Sequence, residues 1–384
     1  MAMGNISCGW RCFSQAFRRE VRKAFRKPEI HWITWCFPLI LFGLIGSNFS
    51  EGTLLELPVS VVDHDHSPLS RELIRKLDAG PHASIEVPAG DLAEAQQRMS
   101  STEDYAMLYI PRDFEADVLG GRQPQVVFFY NALLYAAGLY STQDFSGLIT
   151  ELNSSYRGYT TALTGKTLPT LPAVSLSYDS LFNASGSYIY YQQFSATIHL
   201  LQLFVVTCTI YALARSKALV YSRSFSMSLL GKLAPYTLTY TTLLMGELGL
   251  LVWIFDARVA GNPLYMLAVG FFYVIAAQSI GLLLYTFTRN AITAYTLIGI
   301  LVGVALTFSG VVMPELSMSL FARIVANIEP LTHALYAMFG IFLRQVPGKP
   351  VFEVCALLMI YPLVTALLIR NRLPARLRVP ETLL

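Results

Sequence analysis

Residues 30–49 read IHWITWCFPLILFGLIGSNF, a run without a single Asp, Glu, Lys or Arg. A helix rises about 1.5 Å per residue and the hydrocarbon core of a bilayer is about 30 Å thick, so some ~20 apolar residues make one crossing. No second run of this kind begins before Tyr190. Residues 50–189 lie between the two and have the mixed composition of a folded, water-facing domain. Downstream, Tyr190–Ala214, Leu233–Phe255, Pro263–Phe287, Ala291–Met313 and Val351–Ile369 repeat the apolar pattern, which gives six spans with Ile30–Phe49. None alternates with period two, so a barrel is excluded and each span must satisfy its own backbone as a helix. The sequence therefore predicts a polytopic α-helical membrane protein of six transmembrane helices, with an α/β domain inserted between helices 1 and 2.

Composition agrees. Of 384 residues, 54% are hydrophobic and 14% charged, and the mean hydropathy is +0.48, whereas an ordinary soluble domain carries about a quarter charged residues. The net charge of +3 hides an uneven distribution. Residues 1–29 hold Arg11, Arg18, Arg19, Arg22, Lys23, Arg26 and Lys27 against Glu20 and Glu29. Residues 215–232 hold Arg215, Lys217, Arg223 and Lys232 with no acid, and the tail 370–384 begins with Arg370, Arg372, Arg376 and Arg378. Residues 50–189 carry 17 acidic and 8 basic side chains. Basic residues near spans stay cytoplasmic, so both termini are expected inside and the inserted domain outside. An even number of spans returns the chain to the side it started from, in keeping with that assignment.

Phe13, Phe17, Val21 and Phe25 recur at helical spacing among arginines and lysines. That pattern predicts a basic amphipathic helix on the inner membrane surface, ending at Pro28. In the inserted domain, strands are expected at Leu57–Val62, Ile85–Val87, Tyr105–Ile110 and Gln125–Tyr130. Helices are expected from Pro68 behind a Ser67 cap, from Asp91 with Glu94 as a capping box, from Pro111 to Leu119, and from Ala132 to about Thr164. A linker bearing Pro169 and Pro172 leads back to the membrane. Cys8, Cys12, Cys36, Cys208 and Cys355 all lie outside this domain, which must then be held by its core and not by disulfides.

Val61-Val62-Asp63, Ser67-Pro68-Leu69-Ser70-Arg71-Glu72-Leu73 and Tyr109-Ile110-Pro111 with Phe114 and Gly121 are followed, after the fifth span, by Ser309-Gly310, Pro314, Ser317-Met318 and Pro330-Leu331-Thr332-His333. In this order the chain resembles type-2 ABC exporter permeases with a large extracytoplasmic domain. The resemblance implies a bacterial inner-membrane permease subunit that moves an amphipathic, lipid-like or drug-like substrate outward. It also implies a dimer, homomeric or heteromeric, a separate cytoplasmic ATPase that holds ATP and Mg, and in some members a periplasmic adaptor. It places coupling to the ATPase on residues 215–232, here Arg215, Lys217, Arg223 and Lys232, and short re-entrant helices in residues 314–350, with Pro314, Pro330 and His333 at an outer gate. The acidic, Gly-Thr-bearing segment common in the family after the second span is replaced here by Arg215-Ser216-Lys217-Ala218-Leu219. One reading of that departure is a divergent half of a heterodimer.

No phosphate loop is legible: Gly165-Lys166-Thr167 has its earlier glycine, Gly158, two residues too far away. The chain is thus expected to be a non-catalytic subunit without a cofactor of its own. Asp63-His64-Asp65-His66 has metal-ligand chemistry, but side chains on an extended strand alternate faces and a polar turn accounts for them better. No metal is expected. Glu247 lies well inside the third span, where an acid is costly and a functional candidate by default. It could line a substrate path with Gln278 and His199, or be hydrogen-bonded to one of them. Two other functions stay open: a proton-coupled carrier using Glu247, and an envelope scaffold or sensor whose outer domain binds a partner.

Overall fold

A computed structural model describes residues 2–49, 55–85, 91–101, 103–120, 122, 124–130, 140, 142, 144–154 and 187–378. The chain divides into two compact units, one within residues 53–179 and one made of residues 1–52 and 180–384. The Pro169–Pro172 linker, the Gly165-Lys166-Thr167 stretch and Gly121 lie outside the described residues.

The larger unit opens with α1 (Ala2–Arg26). Among the described residues, six helices are long and apolar enough to cross a membrane: α2 (Pro28–Asn48), α7 (Ile189–Ala214), α8 (Phe225–Phe255), α9 (Pro263–Phe287), α10 (Ala291–Phe308) and α13 (Gly348–Ile369). Two shorter helices, α11 (Leu320–Ile328) and α12 (Pro330–Leu343), stand between the fifth and sixth spans, and α14 (Arg372–Arg378) follows the last. Near its start α2 widens into a π-turn over Trp32–Cys36. Pro38 explains it: proline has no N–H for the carbonyl of residue 34. The core is built around α7, whose Phe194 and Ile198 pack with Tyr240 of α8, Tyr273 of α9 and Phe342 of α12, all fully buried.

Two boundaries differ from the sequence reading, each for a local reason. The fifth span was expected to reach Met313 but ends at Phe308, because Ser309 caps it and Gly310 turns the chain at φ +84°, a conformation only glycine adopts freely. The third span was expected from Leu233, yet α8 already starts at Phe225, so the loop after the second span shrinks to a 3-10 turn at Lys217–Tyr221 and its flanks. Helix α1 was expected as a basic amphipathic helix on the inner membrane surface. It packs along the first half of α8, close enough that a Cβ on Gly231 would stand 2.3 Å from the Phe13 carbonyl oxygen.

The smaller unit is a four-stranded sheet in the order β2-β1-β3-β4, where β1 is Leu57–Asp63, β2 Ala83–Ser84, β3 Ala106–Ile110 and β4 Val127–Tyr130. Strands β2 and β3 run parallel to β1, with Val59 opposite Ala106 and Asp63 opposite Ile110, and β4 is antiparallel to β3. Helix α3 (Pro68–Asp78) starts where Ser67 accepts the Ser70 N–H at 3.0 Å, and α4 (Leu92–Ser100) where Asp91 accepts the Glu94 N–H at 2.7 Å. Such caps stabilise a helix by about 1 kcal/mol each. Leu69, Leu73 and Leu77 of α3 cover Val59, Val61 and Leu108 on one face, together with Leu148 and Leu152 from α6 (144–154). Ala95 of α4 meets Val62 and Met107 on the other. Helix α5 (Phe114–Leu119) begins later than the Pro111 expected, since Asp113 sits in the left-handed region at φ +61°. The second strand falls at Ala83–Ser84 instead of Ile85–Val87, whose last two residues are outside the described set.

Candidate functional site

Two places in the larger unit gather polar chemistry. The first lies where α1, the turn after α7 and the start of α8 meet. Phe13, Phe17 and Ala24 set the phase of one stripe of α1, and Glu20 falls on that stripe, seven residues after Phe13. It is thereby carried into the contact with α8, where it is buried. Lys232 Nζ donates to Glu20 Oε2 at 2.7 Å and the Tyr236 hydroxyl to Oε1 at 2.8 Å. A buried ion pair is tolerable when its remaining hydrogen-bonding positions are also filled, as the tyrosine does here.

Beside this pair runs an open groove of about 810 Å³ between α1 and the segment 215–223. Arg11, Arg19, Lys23, Arg215 and Arg223 line it. Among the described residues its only acid is Glu20, already paired with Lys232, so the groove presents net positive charge. Arg215 is further fixed by stacking 3.9 Å above the Tyr211 ring. Of the four residues expected to couple to an ATPase, Arg215 and Arg223 are exposed at this groove. Lys232 is 4% exposed and paired with Glu20, so in this structure it fastens α1 to α8. The side chain of Lys217 lies outside the described set.

The second place is the interior. Glu247 of α8 is buried beside a cavity of about 10 Å³, room for one water molecule, walled by Phe42 of α2, Gln193 and Thr197 of α7, and Leu243. Glu247 has no hydrogen-bond partner among the described residues. Gln193 donates its amide to the Phe42 carbonyl at 3.2 Å while its own buried Oε1 is left unpartnered. The partners expected for Glu247 are engaged elsewhere. His199 Nε2 lies 2.9 Å from the Val302 carbonyl and must carry the proton there. Gln278 accepts from Thr237 at 2.9 Å and donates to the Leu233 carbonyl at 3.4 Å. The structure therefore does not gather Glu247, Gln278 and His199 into one site.

At the break between α11 and α12 the structure shows a residue that sequence reasoning passed over. Gln202 of α7 donates to Glu329 Oε1 at 2.5 Å, and the Tyr273 hydroxyl stands 3.1 Å from Gln202 Oε1 and 3.2 Å from the Ile198 carbonyl. Glu329 thus ties the short helices to α7 and, through Gln202, to α9. Tyr361 of α13 adds a bond to the Ile328 carbonyl at 2.9 Å. The signal was present in the sequence as an acid directly before Pro330 in an otherwise apolar stretch. His333 bonds the Asn327 carbonyl at 2.9 Å, Pro330 opens α12 as expected, and the exposed Pro314 precedes a 3-10 turn instead of opening a helix.

Residues 29–370 match the family model described as ABC-2 family transporter protein. The chain is also similar to the linearmycin resistance permease protein LnrN of Bacillus subtilis (strain 168), with 21% identity over 370 residues that cover 90% of this chain and 95% of the relative. No solved structure matches.

Proposed function

The chain belongs to the ABC-2 family of transporter proteins, and from that premise we propose that it is the permease subunit of an ATP-driven exporter, paired with a separate cytoplasmic ATPase and a second permease chain. The observation that carries this reading is the basic groove between α1 and the turn after α7. It is open, lined by five basic side chains besides Lys232, and bordered by the buried Glu20–Lys232 pair that joins α1 to α8. Positive charge near spans marks the cytoplasmic side, which is where an ATPase would be. An ATPase surface with acidic side chains would dock there, and movement of α1 would pass directly into α8. In this reading both termini are cytoplasmic, residues 50–189 are extracytoplasmic, and the protein sits in a bacterial inner membrane. ATP and Mg would be bound by the ATPase, and this chain would take no catalytic part.

A dimer is supported by the fifth span. Only 17% of the α10 window is buried within the chain, against 72% for α7. Gly299 and Gly303 are spaced as GxxxG, and a Cβ on either would meet nothing within 4 Å. In lipid, such small-residue faces let helices approach closely. The relative's name attaches it to resistance against linearmycin. For this chain we propose the broader class of amphipathic, lipid-like or drug-like substrates. A homodimer, a heterodimer with a more typical permease, and an added periplasmic adaptor differ in what travels with the chain.

The test is purification of the tagged chain from its native membrane, identification of what comes with it, and ATPase measurement in lipid. A stoichiometric ATPase whose vanadate-sensitive activity needs this chain is the expected result. An intact preparation without an ATPase would overturn the exporter reading. A second reading, a proton-coupled carrier, is favoured only by the partnerless Glu247 beside its one-water cavity.

A further inference from the structure

The smaller unit carries a built crevice that its connectivity explains. From β1 the chain passes through α3 to β2 on one side, then through α4 to β3 on the other. The carboxyl ends of β1 and β3 therefore lie side by side, Asp63 opposite Ile110, with their following loops diverging. In doubly wound sheets this switch point is where ligands bind. Here it opens into a groove of about 1210 Å³.

The charge in the groove opposes that of the domain around it. Residues 50–189 have more than twice as many acids as bases, yet Arg71, Arg75 and Arg112 all line this groove, with His64 and His66 beside them. The neighbouring carboxylates are already used. Asp63 Oδ1 accepts the N–H groups of Asp65 and His66 at 3.0 and 3.1 Å, and its Oδ2 accepts the Ser70 hydroxyl at 2.7 Å and stands 3.9 Å from His66 Nδ1. Asp65 accepts the Glu115 N–H at 3.0 Å, which fastens the loop after β1 to α5. The guanidiniums are not used. Among the described residues the Arg75 and Arg112 side chains have no ion pair or hydrogen bond, and the Arg71 side chain donates only to the Ser67 carbonyl at 3.2 Å. Arg71 and Arg75 stand one turn apart on α3, Arg112 comes from the loop after β3, and Ile74 and Ile85 supply an apolar wall.

We propose that this groove binds a phosphate ester. Planar guanidinium forks match the oxygens of a phosphate, three of them suit a doubly charged group, and the isoleucines accept the carbon portion of the ester. The ester could be the headgroup of an anionic phospholipid or a water-soluble phosphate ester. The proposal goes beyond the export reading and does not depend on it.

The test uses the full chain. Inorganic phosphate is titrated calorimetrically into the protein in neutral detergent, and hydrogen exchange of residues 63–75 is followed in discs of phosphatidylcholine with and without phosphatidylglycerol. The wild type is expected to bind phosphate, and the double variant Arg75→Gln/Arg112→Gln to bind at least about tenfold more weakly, since two charge-assisted contacts are removed. Both side chains are exposed, so normal exchange in β3 reports an intact fold. If the double variant misfolds, Arg75→Gln and Arg112→Gln singly are each expected to weaken binding about threefold or more. Protection of residues 63–75 by phosphatidylglycerol in the wild type alone identifies the lipid headgroup. Protection by free phosphate alone identifies a soluble ester. Absence of both phosphate binding and protection, or equal effects in wild type and folded variants, overturns the proposal.

Discussion

Glu20 is buried against α8 and Glu247 is buried on α8 itself, yet their surroundings have nothing in common. Glu20 meets a lysine and a tyrosine at the junction with α1, while Glu247 faces one water's worth of space and no partner among the described residues. The first arrangement fixes one helix to another and is costly to break from either side. The second contributes no such link, so stability alone does not account for an acid at that depth. A paired buried acid reads as architecture, and an unpaired one as a candidate for chemistry.

The sharpest way to break that comparison is to make the first acid like the second. Lys232→Met leaves Glu20 buried with only the Tyr236 hydroxyl, and removing one member of a buried pair typically costs about 3–5 kcal/mol. The expected outcome is loss of α1 from α8, seen as new protease sensitivity in residues 2–26 and a lowered thermal midpoint. ATPase coupling should fall with it. The double variant Glu20→Gln/Lys232→Met, which removes both charges, should recover most of the stability. If Lys232→Met alone behaves like the wild type, the pair is not the fastening assigned to it.

The smaller unit offers a third acid that sharpens the contrast. Asp104 is buried, and Arg98 grips it with Nε at 2.7 Å and Nη2 at 2.9 Å while the Ser60 hydroxyl also donates to it. Burial alone would raise the Asp104 carboxyl, but Arg98 and Ser60 hold it below the usual value. A depressed folded value means that the stabilisation is fully present above the unfolded value of about 3.9 and is lost as pH falls through the folded one. Hydrogen-exchange protection of β1 and β3 should therefore weaken in acid below about pH 4. Arg98→Ala should destabilise the smaller unit near neutral pH, by less than Lys232→Met destabilises the larger one, and should shrink the acid-linked loss, because the Asp104 carboxyl is then no longer held down by the guanidinium. An unchanged acid profile in the variant would remove Arg98 from the account.

These contrasts also mark what the sequence could reveal. Spans are legible because the bilayer demands length and apolarity within one segment, and the Ser67 and Asp91 caps because their partners lie three residues away. The Glu20–Lys232 pair joins residues 212 positions apart, which no local pattern encodes, so Lys232 reads from sequence as one more basic residue in a basic loop. Gln202 and Glu329 are hidden for the same reason, 127 positions apart. Glu247 was legible as an anomaly because hydrocarbon is a severe filter. The absence of Gln278 and His199 from its surroundings was not, because each had a nearer carbonyl or hydroxyl to bond.

Glu247→Gln carries the smallest expected effect on stability and the finest discrimination. The substitution preserves shape and hydrogen-bonding capacity, removes the ionisable proton, and has no described charge partner to leave stranded. Its thermal midpoint should stay within the equivalent of about 0.5 kcal/mol of the wild type. Transport then separates two roles. In an exporter driven by its ATPase alone, the rate should keep its dependence on pH. In a carrier that moves a proton through the cavity beside Gln193, the rate should fall and the pH dependence should vanish together, with ATPase binding at the distant groove intact. A drop in rate at every pH by one factor would fit neither proton transfer nor a silent residue, and would instead place Glu247 on the substrate's route as a polar contact.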